Sequence, residues 1–125
     1  MLSVVSVKAQ TSRISMNIPF DFTVGQRTFP AGTYTLEPAR SDSRTVWLLK
    51  SEAGKDRLVF ITNSAWTKEN IPQNRLVFNQ YGDRHILSQI WNAGENSGRE
   101  LTQPKWLNDL VKNGAKPQYV VIKTN

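Results

Sequence analysis

The sequence predicts a mostly β fold, a small antiparallel β-barrel or a two-sheet sandwich of about eight strands with one C-terminal helix. Three observations predict it. Side chains alternate with period two across residues 13–24, a hairpin signature joins two apolar segments around Gly82, and one stretch alone, opened by Pro104, carries helical spacing.

In the first element, Ile14, Met16, Ile18, Phe20, Phe22 and Val24 fall on one side, and Ser15, Asn17, Pro19, Asp21 and Thr23 on the other. Such alternation marks a strand with one face on a core and one in water. Pro19 has no N–H to give a ladder, so it marks an edge position or a bend between two shorter strands. Val24-Gly25-Gln26 and Phe29-Pro30-Ala31-Gly32 supply turn chemistry, and a short strand is expected after each turn. Residues 33–37 place Tyr34 and Leu36 on one face, and residues 45–50 read as a more fully buried strand. Glu52-Ala53-Gly54-Lys55 then forms a hairpin loop into a strand at 57–62, and residues 63–74 read as a looser polar segment containing Trp66 and Pro72.

Residues 75–80 and 85–91 flank Tyr81-Gly82-Asp83-Arg84, in which Gly82 suits the first central place of a two-residue turn. That register pairs Gln80 with His85, Phe78 with Leu87 and Leu76 with Gln89. One face of the hairpin then carries Leu76, Phe78, Gln80, His85, Leu87, Gln89 and Trp91, and the other Val77, Tyr81, Ile86 and Ile90. Apolar groups on both faces predict cover by a second layer. Residues 92–98 read as loop. The helix at 104–113 carries an apolar stripe of Trp106, Leu107, Leu110 and Val111, with Gly114 placed to stop it. A last strand at 118–123 sets Val120 and Ile122 against Tyr119 and Val121.

At 125 residues, with 38% apolar and 21% charged side chains, the chain has room for one core, assigned to residues 10–125. Residues 1–9 read as a signal-peptide remnant: Leu2 to Val5 resemble the end of an apolar core, and Val7 and Ala9 are small residues spaced for cleavage before Gln10. The expected location is therefore periplasmic or secreted. No stretch approaches the length of a membrane span. The absence of Cys excludes thiolate nucleophiles, Fe–S clusters and Cys-containing zinc sites, and a single histidine excludes multi-histidine metal sites. No cofactor and no metal are expected. Sixteen Lys and Arg against ten Asp and Glu give a net charge of +6, but the basic residues are spread among acids without a run, so no nucleic-acid partner is expected.

The set Ile18-Pro19-Phe20-Asp21-Phe22-Thr23-Val24-Gly25, Pro30-Ala31-Gly32-Thr33-Tyr34, Leu76-Val77-Phe78 with Tyr81-Gly82-Asp83-Arg84, and Gln89-Ile90-Trp91 through Ser97-Gly98-Arg99-Glu100-Leu101 resembles an uncharacterised family of small, exported, signal-peptide-bearing β proteins of soil bacteria. The resemblance covers residues 12–101. It implies export and a small β fold, and it brings no catalytic residues.

Two candidate sites remain. His85, with Asp83 two residues away, has the chemistry of a general base, although Asp83 falls in the turn and Gly-Asp is an ordinary turn pair. Gln80, His85 and Gln89 set among Leu76, Phe78, Leu87 and Trp91 have the composition of a ligand pocket, apolar walls with a few polar groups, if that face looks into a hollow barrel. Trp47, Trp66, Trp91 and Trp106 read as core or packing residues ahead of stacking platforms. Arg99 and Glu100 are expected in ion pairs. The leading expectation is a non-enzymatic binding or interaction module for an apolar or amphipathic small molecule. The alternatives are a small hydrolase of an ester or lactone using His85, and a structural envelope protein that self-associates through strand edges.

Overall fold

The structure, a computed structural model, describes residues 13–124; the proposed signal remnant lies outside the described residues. The fold is mostly β, with ten strands and one helix among the described residues. The strands are β1 (Ile14–Ile18), β2 (Phe22–Val24), β3 (Arg27–Phe29), β4 (Gly32–Arg40), β5 (Ser43–Ser51), β6 (Arg57–Trp66), β7 (Arg75–Tyr81), β8 (Arg84–Trp91), β9 (Ser97–Leu101) and β10 (Gln118–Lys123); helix α1 (Lys105–Lys112) lies between β9 and β10. They form one continuous sheet ordered β1-β4-β5-β6-β9-β8-β2-β3, with β7 on the other side of β8 and β10 beyond β7. Its ends, β1 and β3, are not paired with each other, so the sheet is open and the sandwich alternative holds over the barrel.

Strand β6 makes the corner. Its first half, Arg57 to Ile61, pairs with β5, and its second half, Thr62 to Trp66, pairs with β9. A strand that serves two layers in turn must be long, which is why β6 runs ten residues and continues through Asn63–Trp66, where the sequence reading expected a loose segment. Strand β9 likewise begins inside the stretch read as loop, and β3 is the short strand expected after the turn at Gly25.

The remaining sequence features fall where their chemistry put them. The period-two run breaks at residues 19–21 into β1 and β2, consistent with Pro19 as a bend. At the 81–84 turn, Gly82 takes a φ of +61°, a left-handed value that a Cβ would penalise. Helix α1 ends in a Schellman motif: Ala115 N–H donates to Leu110 O at 3.0 Å and Gly114 N–H to Val111 O at 3.0 Å. The helix buries Leu107 and leaves Leu110 and Val111 exposed, so only part of its apolar stripe is covered. Arg99 does not act through an ion pair with its neighbour. Its Nε and Nη2 donate to Oγ1 and O of Thr62, tying β9 to β6 from the core side.

The inner faces meet in a filled core. Ile14, Met16 and Ile18 from β1, Tyr34 and Leu36 from β4, Trp47 and Leu49 from β5, Phe22, Val24 and Phe29 from β2 and β3, and Leu76, Phe78, Leu87 and Ile90 from β7 and β8 are all buried in one cluster. Aromatic edges interlock at its centre: Phe22 meets Tyr34 at 5.0 Å and 87°, and Phe78 at 5.8 Å and 74°. Trp47 is fully buried and satisfied by donating Nε1–H to Arg44 O at 2.8 Å. The clefts described below are open to solvent and lie at the margin and on the outer side of this cluster.

Candidate functional site

The β7–β8 hairpin carries every ligand-site candidate of the sequence, and it does not keep a single register. Tyr81 pairs with Arg84, Gln80 with His85 and Phe78 with Leu87, as the turn chemistry predicts. Between Phe78 and Val77 the register shifts: Val77 pairs with Gln89, Leu76 with Ile90 and Arg75 with Trp91, so Ser88 is an extra residue on β8. A bulge inverts the alternation beyond it. The expected pairing of Leu76 with Gln89 is therefore replaced, and the seven residues read as one face divide. Leu76, Phe78 and Leu87 face the core and are buried there, Gln80 and His85 sit at its margin, and Gln89 and Trp91 turn to the outer face. Ile90, expected on the face opposite Leu76 and Phe78, joins them in the core instead.

At the margin, His85 lies flat on Phe20, with ring centroids 3.8 Å apart and an interplanar angle of 13°; Phe20 in turn meets Phe78 edge-on at 5.0 Å. The stack seals the end of the core and takes the imidazole partly out of water. Burial lowers the His85 pKa from its ordinary 6.5, and the nearby Asp83 carboxylate partly opposes that shift. His85 Nδ1 is buried without a hydrogen-bond partner. Asp83 raises the imidazole pKa through its field but makes no hydrogen bond that would fix the ring's tautomer.

His85 and Asp83 border an open cleft of about 320 Å³ between the turn of the hairpin, strands β2 and β3, and the start of α1. The Trp106 ring borders it at the surface, and the buried Phe22 lies behind the wall. The cleft's polar wall comprises Asp21, Thr23, Gln26 and Thr28, with Arg84 and His85 opposite. The wall is held in place from behind: Asp21 Oδ1 accepts the Ala31 N–H at 3.0 Å, the Thr23 and Thr28 hydroxyls lie 3.3 Å apart, and the Arg84 guanidinium sits 4.7 Å from the Trp106 ring centroid. Of these residues the sequence reading singled out His85 and Asp83. Asp21 lies on the polar side of the first alternating run, but Gln26, Thr28 and Trp106 reach the cleft only through the pairing of β2 with β3 and β8 and the placement of α1.

Further openings include one of about 380 Å³ lined by Val59, Ile61, Leu101 and Pro104. Another, of about 300 Å³, lies on the back of the hairpin against Val77, Asn79, Ser88, Gln89 and Tyr119. A third, of about 260 Å³, contains Gln89 and Trp91 together with Trp66, Glu69, Ile71 and Arg75. Among the described residues there is no group of three or more His, Cys, Asp or Glu side chains placed to hold a metal, and no helix is long and apolar enough to cross a membrane. No protein-family model, curated protein or solved structure matches the chain.

Proposed function

We propose that the protein is an exported, non-enzymatic binding module that takes a small amphipathic molecule in the cleft beside His85. The observation that carries this reading is the division of the cleft wall: the partly exposed Trp106 ring offers an apolar contact, and hydroxyl, amide and carboxylate groups stand around it. With its pKa lowered, His85 is neutral at pH 7 and presents an imidazole able to donate or accept a hydrogen bond rather than a charge.

The geometry weighs against a role for His85 as the general base of an ester or lactone hydrolase. A catalytic imidazole is oriented by a partner on its second nitrogen, whereas His85 Nδ1 has none and the ring is held by stacking. A lowered pKa also makes it a weaker base.

Native mass spectrometry of the protein recovered from a bacterial periplasm tests the reading. It is followed by titration of the stripped protein with medium-chain alcohols, amines and carboxylic acids while Trp106 fluorescence is monitored against a Trp106→Phe reference. A retained or added adduct that is lost in Thr28→Val and quenches Trp106 is the expected result. A bare mass with unmoved fluorescence removes the proposal, and ester turnover abolished by His85→Ala replaces it with the hydrolase.

A further inference from the structure

The outer face of the hairpin, turned outward by the Ser88 bulge, holds a second and separate site. Trp66, at the end of β6, is 76% exposed, an unusual position for the largest apolar side chain unless a partner covers it. It lines a groove of about 260 Å³ with Trp91, Gln89, Arg75 and Glu69. Trp91 lies over the backbone of Gly98 and donates its Nε1–H to Gln89 Oε1 at 3.1 Å, so the Gln89 amide keeps its N–H groups for another acceptor. The Arg75 side chain is only 17% exposed. Its Nε is buried without a partner, and its Nη1 stands 3.9 Å from Glu69 Oε1.

The groove is built before anything binds. Four hydrogen bonds clip the loop after β6 to the loop after β8: Thr67 N–H to Asn96 O, Asn96 Nδ2 to Glu69 O, Gly94 N–H to Ile71 O, and Ala93 N–H to Asn74 Oδ1. A wall fixed in this way loses little entropy when a ligand arrives.

The geometry points to a carbohydrate-binding groove for a neutral saccharide unit. A pyranose has an apolar C–H face that suits an indole plate, and a ring of hydroxyls that both donate and accept. The groove offers the matching parts: the exposed Trp66 indole, backed by the buried Trp91, donors on Arg75 and Gln89, and an acceptor on Glu69. A pure hydrocarbon would leave the Arg75 and Gln89 donors desolvated and unpaired, at a cost. A strongly charged ligand is not selected, because Arg75 and Glu69 offset each other. The volume lies just below the range typical of drug-sized pockets, which fits one sugar ring of a longer glycan.

The test is titration calorimetry with tryptophan fluorescence, using maltohexaose, cellohexaose and hexa-N-acetylchitohexaose, together with a polyuronic acid and naphthalene sulfonate. The inference expects at least one neutral oligosaccharide to bind and shift the emission, with affinity falling about tenfold in Trp66→Ala. Because Trp66 is exposed, that variant keeps its core, and Gln89→Ala provides a second reading of the same groove. Binding that survives both variants overturns the inference. So does a silent panel of neutral sugars, or binding of only the polyuronic acid or the naphthalene sulfonate.

Discussion

The two halves of the β7–β8 hairpin have nearly the same composition and opposite fates. Toward the turn, Phe78 and Leu87 face the core and His85 closes its margin. Past Ser88, Leu76 and Ile90 take over the core, and Gln89 and Trp91 emerge on the outer face beside Arg75. One unpaired residue decides which side chains fill the core and which face outward, because the side-chain period of a strand is two. The same hairpin can thus serve a cleft at its turn and a groove on its back without hollowing the core.

The harshest way to break that contrast is to insert one residue between Val77 and Phe78, giving Ser88 a partner on β7. A continuous register would then drive Gln89 and Trp91 inward and expel Leu76 and Ile90, burying a polar amide and exposing aliphatic chains together. The expected loss exceeds about 4 kcal/mol, seen as a collapsed or absent urea transition. If the insertion variant keeps wild-type stability, the bulge does not set the two faces.

Phe78→Ala probes the inner half alone. It removes a fully buried ring that meets Phe20 and Phe22, and should cost about 3–5 kcal/mol by urea unfolding. The neighbouring outer-face change Val77→Ala should cost less than half as much.

Gly98→Ala probes the outer half. A Cβ there would stand 2.5 Å from Trp91 Cε3 and 2.8 Å from Ile90 O, so the indole must move. A cost of about 1–3 kcal/mol is expected, with a shift in tryptophan emission that the same change in the Trp91→Phe background lacks.

The smallest effect is on pH. Since the folded pKa of His85 is below its unfolded value, the unfolded chain binds the extra proton between them. Stability should therefore fall as the pH drops below about 6.5 and level off once the folded pKa is passed. Thermal unfolding of His85→Gln across pH 5–7 should lack that component; an unchanged profile would show that burial of His85 does not govern it.

Much of the fold was legible in the chain. Period two around Pro19, the turn at Gly82, the stop at Gly114 and the inward Val120 and Ile122 each act through neighbours within a few residues, and each appears in the structure as local chemistry requires. The candidate sites were legible only in part. His85 and Asp83 stand out as titratable groups in an apolar strand pair, but Thr28 and Trp106 join them from other elements, and Trp66 gave no sign that its strand ran past Thr62.

The sequence by itself determined a mostly β domain, its turns and its helix stop, because these follow from backbone sterics and alternation along the chain. Only the tertiary structure decided that the sheet stays open, that β6 serves both layers, and that the Ser88 bulge sends Gln89 and Trp91 outward. Those outcomes depend on pairing between distant strands and on what fits against a filled core, and no window of neighbouring residues contains that information.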